Sequence, residues 1–334
     1  MKILNPRIYL PEEREHAFRP QPGNPNSSQW WYNAAILENG YIFCLEWGIA
    51  GEVTAWCNFL VRDPDGKRTF LHYDYRFPDE MSAATDKVDI KTSNSSYCGQ
   101  SGRYEMHVRR GNDLGADVVF ENITQPVRIP PEGIYVGRLI PPTPQYMTYI
   151  VRLRSQVTGK LIVDGQEIPV KSHEGYCDHQ WGNVSPLVIS HSWYWSLLYL
   201  QNHTIVFNEA INSENQGFTK DKWMWVYKGA QPTKYLSGMD FQVEPAEIFT
   251  HPQTGAQCPR RTTVYIDNAE IQGTITYRLK TILQSAVDMA AWLPNFPIRQ
   301  APRYFRYLSD AHYDLTIDGE HLEGDKMEVQ EFGI

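Results

Sequence analysis

Residues 30–47 read WWYNAAILENGYIFCLEW, and this stretch decides the fold class. Two runs rich in aromatic and β-branched residues flank Asn39-Gly40, a dipeptide that signals a tight turn between antiparallel strands. Similar turn signals recur at short intervals, at Asp63-Pro64-Asp65-Gly66, Arg110-Gly111-Asn112-Asp113, Asp164-Gly165 and Asp318-Gly319. Evenly spaced strands of this kind favour barrels or sandwiches, so the sequence predicts an all-β fold.

Two segments depart from the strand-and-turn pattern. Apolar residues recur at intervals of three and four from Leu279 to Leu293 and stop at Pro294, which predicts one amphipathic helix in the second half. The Pro-rich residues 126–144 cannot form a central strand, because proline has no backbone N–H to donate, and we expect a covering loop there. The length of 334 residues suits two domains, and we place the boundary between about 155 and 172. This gives β-rich domains over residues 1–160 and 161–334.

The charge and the aromatic content limit the classes of partner. The chain carries 31 Lys and Arg against 39 Asp and Glu, a net charge of −8, so the basic footprint of a nucleic-acid binder is missing. Aromatic residues make up 13%, with 10 Trp and 20 Tyr, which suits a surface that holds a flat, apolar molecule. We therefore predict a hydrophobic small-molecule substrate and no nucleic acid. The sequence leaves the oligomeric state open.

Targeting and membrane signals are not visible in the sequence. Residues 1–7 reach Pro6 and Arg7 before any apolar region develops, so we expect a cytoplasmic protein. No apolar run approaches the roughly 18 residues needed to cross a bilayer, so we expect no stable membrane insertion.

Motifs for metals and cofactors are also missing from the sequence. The five cysteines include no C-x-x-C, and His173, His179 and His191 do not have the spacing of metal ligands. Neither the G-x-S-x-G of hydrolases nor the Gly-rich motifs of nucleotide-binding loops occurs. We therefore predict no metal and no cofactor.

The densest group of reactive side chains lies in residues 174–183, which read EGYCDHQWGN. In a strand, side chains alternate between the two faces, so Tyr176 and Asp178 share one face while His179 and Trp181 share the other. An apolar setting would disfavour the charged form of Asp178 and keep it protonated as an acid. The alternative is a structural aspartate that caps a turn or pairs with a buried arginine.

Two aromatic stripes follow this segment. His191, Trp193 and Trp195 alternate with smaller or more polar residues, and Trp223 and Trp225 repeat the arrangement. Trp31 and its neighbour Trp30 add further rings near the amino terminus. Aromatic faces line apolar ligands and stabilise carbocations by about 0.5–2 kcal/mol for each ring, although rings of this kind also fill the cores of barrels.

Four motifs carry a resemblance to a known family. They are Trp30-Trp31-Tyr32-Asn33, Gln100-Ser101-Gly102-Arg103-Tyr104, Gly175-Tyr176-Cys177-Asp178-His179-Gln180-Trp181-Gly182 and Trp193-Tyr194-Trp195. In this order, over residues 28–332, they resemble the lipocalin-like carotenoid 1,2-hydratase superfamily, which includes kievitone hydratase and the fungal decalin-forming Diels–Alderases. The resemblance implies two lipocalin-like antiparallel β-barrel domains, with a ligand pocket at or between them and no cofactor.

The resemblance also implies roles for individual residues. Asp178 would be the acid that protonates a C=C bond, and Tyr176 would support it. The stretch Tyr146–Arg154 has neither His nor Trp, whereas the hydratases carry a His-x-Trp pair upstream of the Tyr-x-Asp motif. The Diels–Alderases work mainly by folding a polyene, so cyclisation stays open beside hydration.

Two functional hypotheses follow. The first is a cofactor-independent enzyme that folds a polyene or isoprenoid-like substrate in an aromatic pocket and cyclises or hydrates it. Its catalytic residues would be Asp178 and Tyr176. Its substrate-binding residues would be Trp31, Trp181, His191, Trp193, Trp195, Trp223 and Trp225. The second hypothesis is a non-catalytic lipocalin-like carrier of a lipid or pigment, which needs only the aromatic pocket.

Overall fold

The computed structural model describes residues 16–51, 54–135, 145–184, 189–214, 217–285, 288 and 304–333. Within these residues the chain forms two curled antiparallel sheets and is nearly all-β, with one short 3-10 helix at Pro78–Glu80. The predicted all-β fold of two lipocalin-like barrel domains is thereby confirmed.

The first sheet contains twelve strands, in the order β4-β3-β2-β1-β12-β11-β9-β8-β7-β6-β5, with β10 paired to β11. Their bounds are β1 Ser28–Ile36, β2 Ile42–Ala50, β3 Thr54–Arg62, β4 Thr69–Arg76, β5 Ser82–Ala83, β6 Val88–Lys91, β7 Ser95–Gln100, β8 Arg103–Arg110, β9 Leu114–Asn122, β10 Val127–Tyr135, β11 Gln145–Val163 and β12 Gln166–Gly182. The first strand therefore lies beside the last, which brings Trp31 opposite His179.

The second sheet contains nine strands, in the order β16-β15-β14-β13-β21-β20-β19-β18-β17. Their bounds are β13 Ser190–Tyr199, β14 His203–Asn212, β15 Lys220–Lys228, β16 Gln231–Ser237, β17 Phe241–Thr250, β18 Gln257–Asn268, β19 Ile271–Ser285, β20 Tyr304–Ile317 and β21 Glu320–Gly333. In this sheet too, the first strand along the chain, β13, pairs with the last, β21. In both sheets, therefore, the first and last strands are neighbours in the middle of the strand order.

The turns lie where the sequence places them. At the β11–β12 turn, Asp164 has a φ of 51° and Gly165 a φ of 75°. Positive φ at both central residues is the geometry of a type I′ turn, whose twist matches that of the flanking strands. The Asp-Gly pair thus joins the two long strands that carry the candidate site.

The predicted helix is wrong over residues 279–285, whereas Asp288, the other described residue of the predicted range, is helical. Leu279–Ser285 forms the end of strand β19, while residues 286–287 and 289–293 lie outside the described residues. Register shifts between Leu279 and Thr281, and again between Ile282 and Gln284, interrupt the pairing of this strand with β20. Each irregularity changes the phase of inward and outward side chains, so a strand acquires the three- and four-residue spacing of a helix.

The Pro-rich segment is partly a strand. Residues Val127–Tyr135 form β10, which pairs only with β11 and has an irregular register between Ile129 and Ile134. A strand with one partner leaves its other side free of ladder bonds, where proline is tolerated. Residues 136–144 lie outside the described residues.

The boundary between the two compact units lies later than the sequence indicates. One unit comprises Met1–Pro186 with Gly229–Pro232, and the other comprises Leu187–Lys228 with Thr233–Ile334. The predicted boundary at residues 160 and 161 lies inside strand β11, near the tip of the β11–β12 hairpin of the first sheet. This hairpin is a long local pairing that the turn signals alone do not distinguish from a domain junction.

Each unit has its own apolar core. The first core includes Trp31, Phe43, Trp47, Tyr97 and Phe120, and these side chains define what we call the core face of the first sheet. In the second unit the core is built by Leu198, Phe207, Met224, Val264, Tyr277 and their neighbours. In the part of the chain that the structure describes, none of the helices has the length and hydrophobicity to cross a bilayer.

Candidate active site

Strand β12 presents two different sets of side chains on its two faces, as its period-two pattern predicts. Cys177 belongs to the apolar core, and the ring of His179 stacks on Trp31 with centroids 4.5 Å apart. Tyr176 and Asp178 alternate with these two residues and lie on the opposite face, which we call the Asp178 face.

Asp178 is buried and bonded to its neighbours along the strand. The residue is only 2% exposed to solvent. The Tyr176 hydroxyl donates to Asp178 Oδ2 over 2.8 Å, and Gln180 Nε2 donates to the same oxygen over 3.0 Å. Because Oδ2 accepts both bonds, the proton of a neutral Asp178 belongs on Oδ1. The two bonds fix the orientation of the carboxyl group, as an acid that acts in one direction requires.

The Asp178 face continues across three further strands as a row of polar side chains. In register, Asp178 lies opposite Tyr32, Tyr32 opposite Glu46, and Glu46 opposite Asn58. With strands about 4.8 Å apart, the row extends over roughly 14 Å. Trp56 Nε1 donates to Glu46 Oε1 over 2.7 Å. The row is long enough to lie along an extended substrate.

The side-chain amide of Asn58, in this row, makes no hydrogen bond to the described residues. It is 5% exposed, and neither its Oδ1 nor its Nδ2 has a hydrogen-bond partner among the described residues. A buried amide without partners costs free energy, so such groups in folded proteins call for a reason. An adjacent donor and acceptor on the same face as Asp178 would suit the polar end of a ligand.

A half-buried phenol, Tyr75, also lies on this face. Tyr75 lies opposite Trp56, next along the sheet. Burial first, and then the nearby Glu46, raises the pKa of Tyr75 to about 12. The phenol therefore keeps its proton at neutral pH and can donate a hydrogen bond.

Two of the tryptophans predicted to bind substrate lie on the core face, away from Asp178. Trp31 is fully buried, and its Nε1 donates to the backbone oxygen of His16 over 2.8 Å. Trp181 packs against the same core, with its ring 4.8 Å from His179 and the Arg19 guanidinium 5.2 Å from its centroid. The rings of Trp31 and Trp181 therefore lie in the same core, on the sheet face opposite the Asp178 carboxyl group.

The other predicted rings belong to the second unit. Trp195 and Trp223 lie on one sheet face, opposite Asn208 on the strand between them, while Leu198 and Phe207 point to the core. Trp193 stacks near Tyr304, with centroids 6.1 Å apart. Trp225 is buried and lies 4.9 Å from the ring of Tyr235. Trp193 and Trp195 on β13 thus lie on the same sheet face as Trp223 and Trp225 on β15, with β14 between the two strands.

His191 differs from the residues of the stripe. It is exposed and contacts Phe218 edge to face, with ring centroids 5.3 Å apart. The register of β13 shifts between Ser190 and Ser192, so the strict alternation begins only beyond His191.

Metal ligands are not grouped in the residues that the structure describes. No set of three or more His, Cys, Asp or Glu side chains there is arranged to hold an ion. All five cysteines are free thiols, and burial raises the pKa of Cys57 to about 12.

Sequence reasoning missed Glu46 and Asn58, because they lie more than 100 residues from Asp178 along the chain and meet it only through strand pairing. One signal was available. In residues 42–50, IFCLEWGIA, and 54–62, TAWCNFLVR, a single Glu and a single Asn interrupt otherwise apolar strand cores.

Comparisons with known proteins identify the family. Residues 54–286, well over half of the chain, match the profile of the AttH-like family. A protein assigned as AttH from Nitrosomonas europaea superposes with a TM-score of 0.68 at 13% identity, over 92% of both chains. Kievitone hydratase from Nectria haematococca gives a TM-score of 0.66 at 13% identity, over 98% of this chain and 94% of that one.

A further solved structure is CghA with Sch210972, which superposes with a TM-score of 0.65 at 8% identity, over 98% of this chain and 96% of that one. No curated protein sequence matches the chain. At such identities the structural likeness establishes the fold alone.

Proposed function

Because the chain belongs to the AttH-like family, we propose that it is a cofactor-independent enzyme that hydrates or cyclises a hydrophobic polyene or isoprenoid-like substrate. The observation that carries the proposal is the buried Asp178 carboxyl, oriented by Tyr176 and Gln180. A fold shared with kievitone hydratase and with CghA supports the same reaction classes. The substrate class suggests terpenoid or other polyene secondary metabolism, and the cytoplasmic location stays a prediction.

Asp178 would act as a general acid. Its proton passes from Oδ1 to one carbon of an alkene, and the π electrons form the new C–H bond, leaving a cation at the other carbon. In hydration a water molecule adds to the cation and returns a proton to Asp178. In cyclisation an internal π bond adds instead, and loss of a neighbouring proton to Asp178 restores the acid. Exclusion of water from the site would therefore select the product.

A concerted cyclisation makes a different demand on the same residues. The carboxyl would then donate a hydrogen bond to a substrate carbonyl, and most of the acceleration would come from holding the reacting carbons together. Orientation of this kind contributes about 7–11 kcal/mol to lowering a barrier. The unpartnered amide of Asn58 would bind a polar group of the substrate and fix its position along the row.

The product distinguishes these reactions from one another and from transport. Purified protein would be incubated with a panel of linear polyenes and isoprenoids, and the products followed by mass spectrometry and chiral chromatography. A hydratase adds the mass of water, and a cyclase yields an isomer of one handedness. Recovery of every substrate unchanged, with tight binding, would instead establish the carrier hypothesis and contradict our proposal.

Substitution of the tryptophans of the second unit tests how much the folding of the substrate contributes to turnover. We propose that Trp193, Trp195, Trp223 and Trp225 bind an apolar molecule in the second unit. If folding of the substrate dominates, Trp195→Ala lowers turnover more than Asp178→Asn does. Trp31→Phe, in the core of the first unit, is the control. Its smaller side chain should lower thermal stability and leave the ratio of products unchanged.

A further inference from the structure

The core face of the first sheet contains a buried positive charge. Arg152, on β11, is fully buried. Its Nη2 donates to Asn33 Oδ1 and to the Tyr97 hydroxyl, each over 2.8 Å. A guanidinium has five N–H groups, and these two bonds use both hydrogens of Nη2. The remaining three, on Nε and Nη1, have no hydrogen-bond partner among the described residues.

The groups that surround Arg152 do not balance its charge. Burial lowers the pKa of His16 and of His179 well below the ordinary value, so both rings are neutral at pH 7. Burial likewise raises the pKa of the Tyr97 phenol well above its ordinary value and that of the Cys177 thiol to about 11. None of the ion pairs of the described residues includes Arg152. Among the described residues, therefore, no negatively charged group faces the Arg152 guanidinium.

Aromatic rings compensate this charge in part. The guanidinium carbon lies 4.1 Å from the ring centroid of Tyr104, 5.4 Å from that of Phe120 and 6.0 Å from that of Tyr97. Ring faces attract a cation, but more weakly than a buried carboxylate would, and they offer no acceptor to the N–H groups of Nε and Nη1. A water molecule would satisfy the hydrogens but not the charge.

We propose that the interior of the first barrel binds a singly charged anion, a halide or a carboxylate group, at Nε and Nη1 of Arg152. The charge of the anion balances that of the guanidinium, and the three N–H groups donate to it. This site lies on the face of the sheet opposite Asp178, and its existence does not depend on the proposed reaction.

Anion-dependent thermal unfolding of the whole chain tests this proposal. The protein would be dialysed into sodium gluconate, whose bulky anion serves as the reference, and titrated at constant ionic strength with sodium chloride, acetate or octanoate. We expect a saturable rise of the melting temperature by about 4–8 °C at 100 times the dissociation constant, for chloride or for the carboxylates. Octanoate binding much more tightly than acetate would identify an anion with an apolar chain.

Two variants localise the effect. Arg152→Met removes the charge at similar length and should abolish the saturable rise. Arg154→Met is the matched control on the same strand, because Arg154 Nε bonds the backbone oxygen of His173 in an exposed position. If Arg152→Met does not fold, Arg152→Lys keeps the charge with fewer donors and should weaken anion binding about tenfold. Wild-type protein that melts identically in gluconate, chloride, acetate and octanoate would overturn the proposal and leave neutral groups as the partners of the charge.

Discussion

The two faces of the first sheet bury ionisable groups in opposite ways. On one face, the Asp178 carboxyl is bonded by Tyr176 and Gln180, which are its neighbours two residues away on the same strand. On the other, Arg152 reaches Asn33 and Tyr97, which lie 119 and 55 residues away along the chain. The carboxyl group is thus positioned by local geometry and the guanidinium by the curled sheet.

This difference distinguishes a group arranged for reaction from one arranged for binding. The hydrogen bonds that Tyr176 and Gln180 donate to Asp178 end on the same oxygen, Oδ2, which fixes the orientation of the carboxyl group. Arg152 instead holds three N–H donors for which the described residues offer no acceptor. The variants that follow should affect turnover on the Asp178 face and stability on the core face.

The largest expected effect is that of Asp178→Asn on turnover. The carbonyl oxygen of asparagine can accept both bonds in place of Oδ2, so the fold and substrate affinity should persist. The amide cannot transfer a proton, and turnover should fall about 10²–10⁴-fold if Asp178 is the acid. Steady-state kinetics and thermal melting on the same samples measure both quantities.

The matched control for that variant is Asp164→Asn, at the exposed turn of the same hairpin, where a positive φ suits asparagine. It should leave turnover unchanged. Wild-type turnover in Asp178→Asn would remove Asp178 from the catalytic residues, and a sharp loss of thermal stability would assign it a structural role.

Asn58→Leu should separate binding from stability. Replacement of an unpartnered buried amide by an apolar side chain of similar size should stabilise the protein by about 1–3 kcal/mol. If Asn58 binds the substrate, kcat/KM should fall about tenfold to 100-fold. Urea unfolding and kinetics would be measured beside Asn26→Leu, an exposed substitution in the same unit. Unchanged kinetics would exclude Asn58 from the site.

Tyr176→Phe should have a smaller effect than Asp178→Asn, because Gln180 still bonds Asp178 Oδ2. We expect kcat to fall about tenfold while KM stays unchanged, since Tyr176 positions the acid and does not supply the proton. Tyr265→Phe, at an exposed tyrosine of the second unit, is the control and should leave kcat unchanged. A rise in KM alone would assign Tyr176 to substrate binding instead.

The smallest effect concerns pH and the core face. Burial, and next the charge of Arg19, lowers the pKa of His179 below the ordinary value of 6.5. The unfolded chain therefore binds a proton below about pH 6.5 that the folded chain does not, and stability falls as the pH falls through that range. His179→Gln should reduce the slope of unfolding free energy by up to about 1.4 kcal/mol per pH unit.

Urea unfolding at several pH values between 7.5 and 5 measures this slope. The exposed His312→Gln serves as the control and should leave it unchanged. An identical slope in His179→Gln and wild type would mean that His179 is protonated in the folded protein, which would add a second charge to the interior and contradict the balance described for Arg152.

The sequence by itself determined what depends on short-range periodicity. Turn residues such as Asn39-Gly40 and Asp164-Gly165 specified an all-β chain, and the period of two in β12 placed Tyr176 beside Asp178. Both inferences are reliable because φ preferences and strand alternation are properties of a few consecutive residues. The family motifs rest on the same local segments.

Only the tertiary structure decided the features that depend on distant pairing. Strand pairing brought Glu46 and Asn58 into the row with Asp178, and the curled sheet brought Asn33 and Tyr97 to Arg152. The irregular pairing of β19 with β20 turned an apparent helical pattern into a strand. These outcomes follow from contacts between residues far apart in the chain, whose register no local pattern specifies.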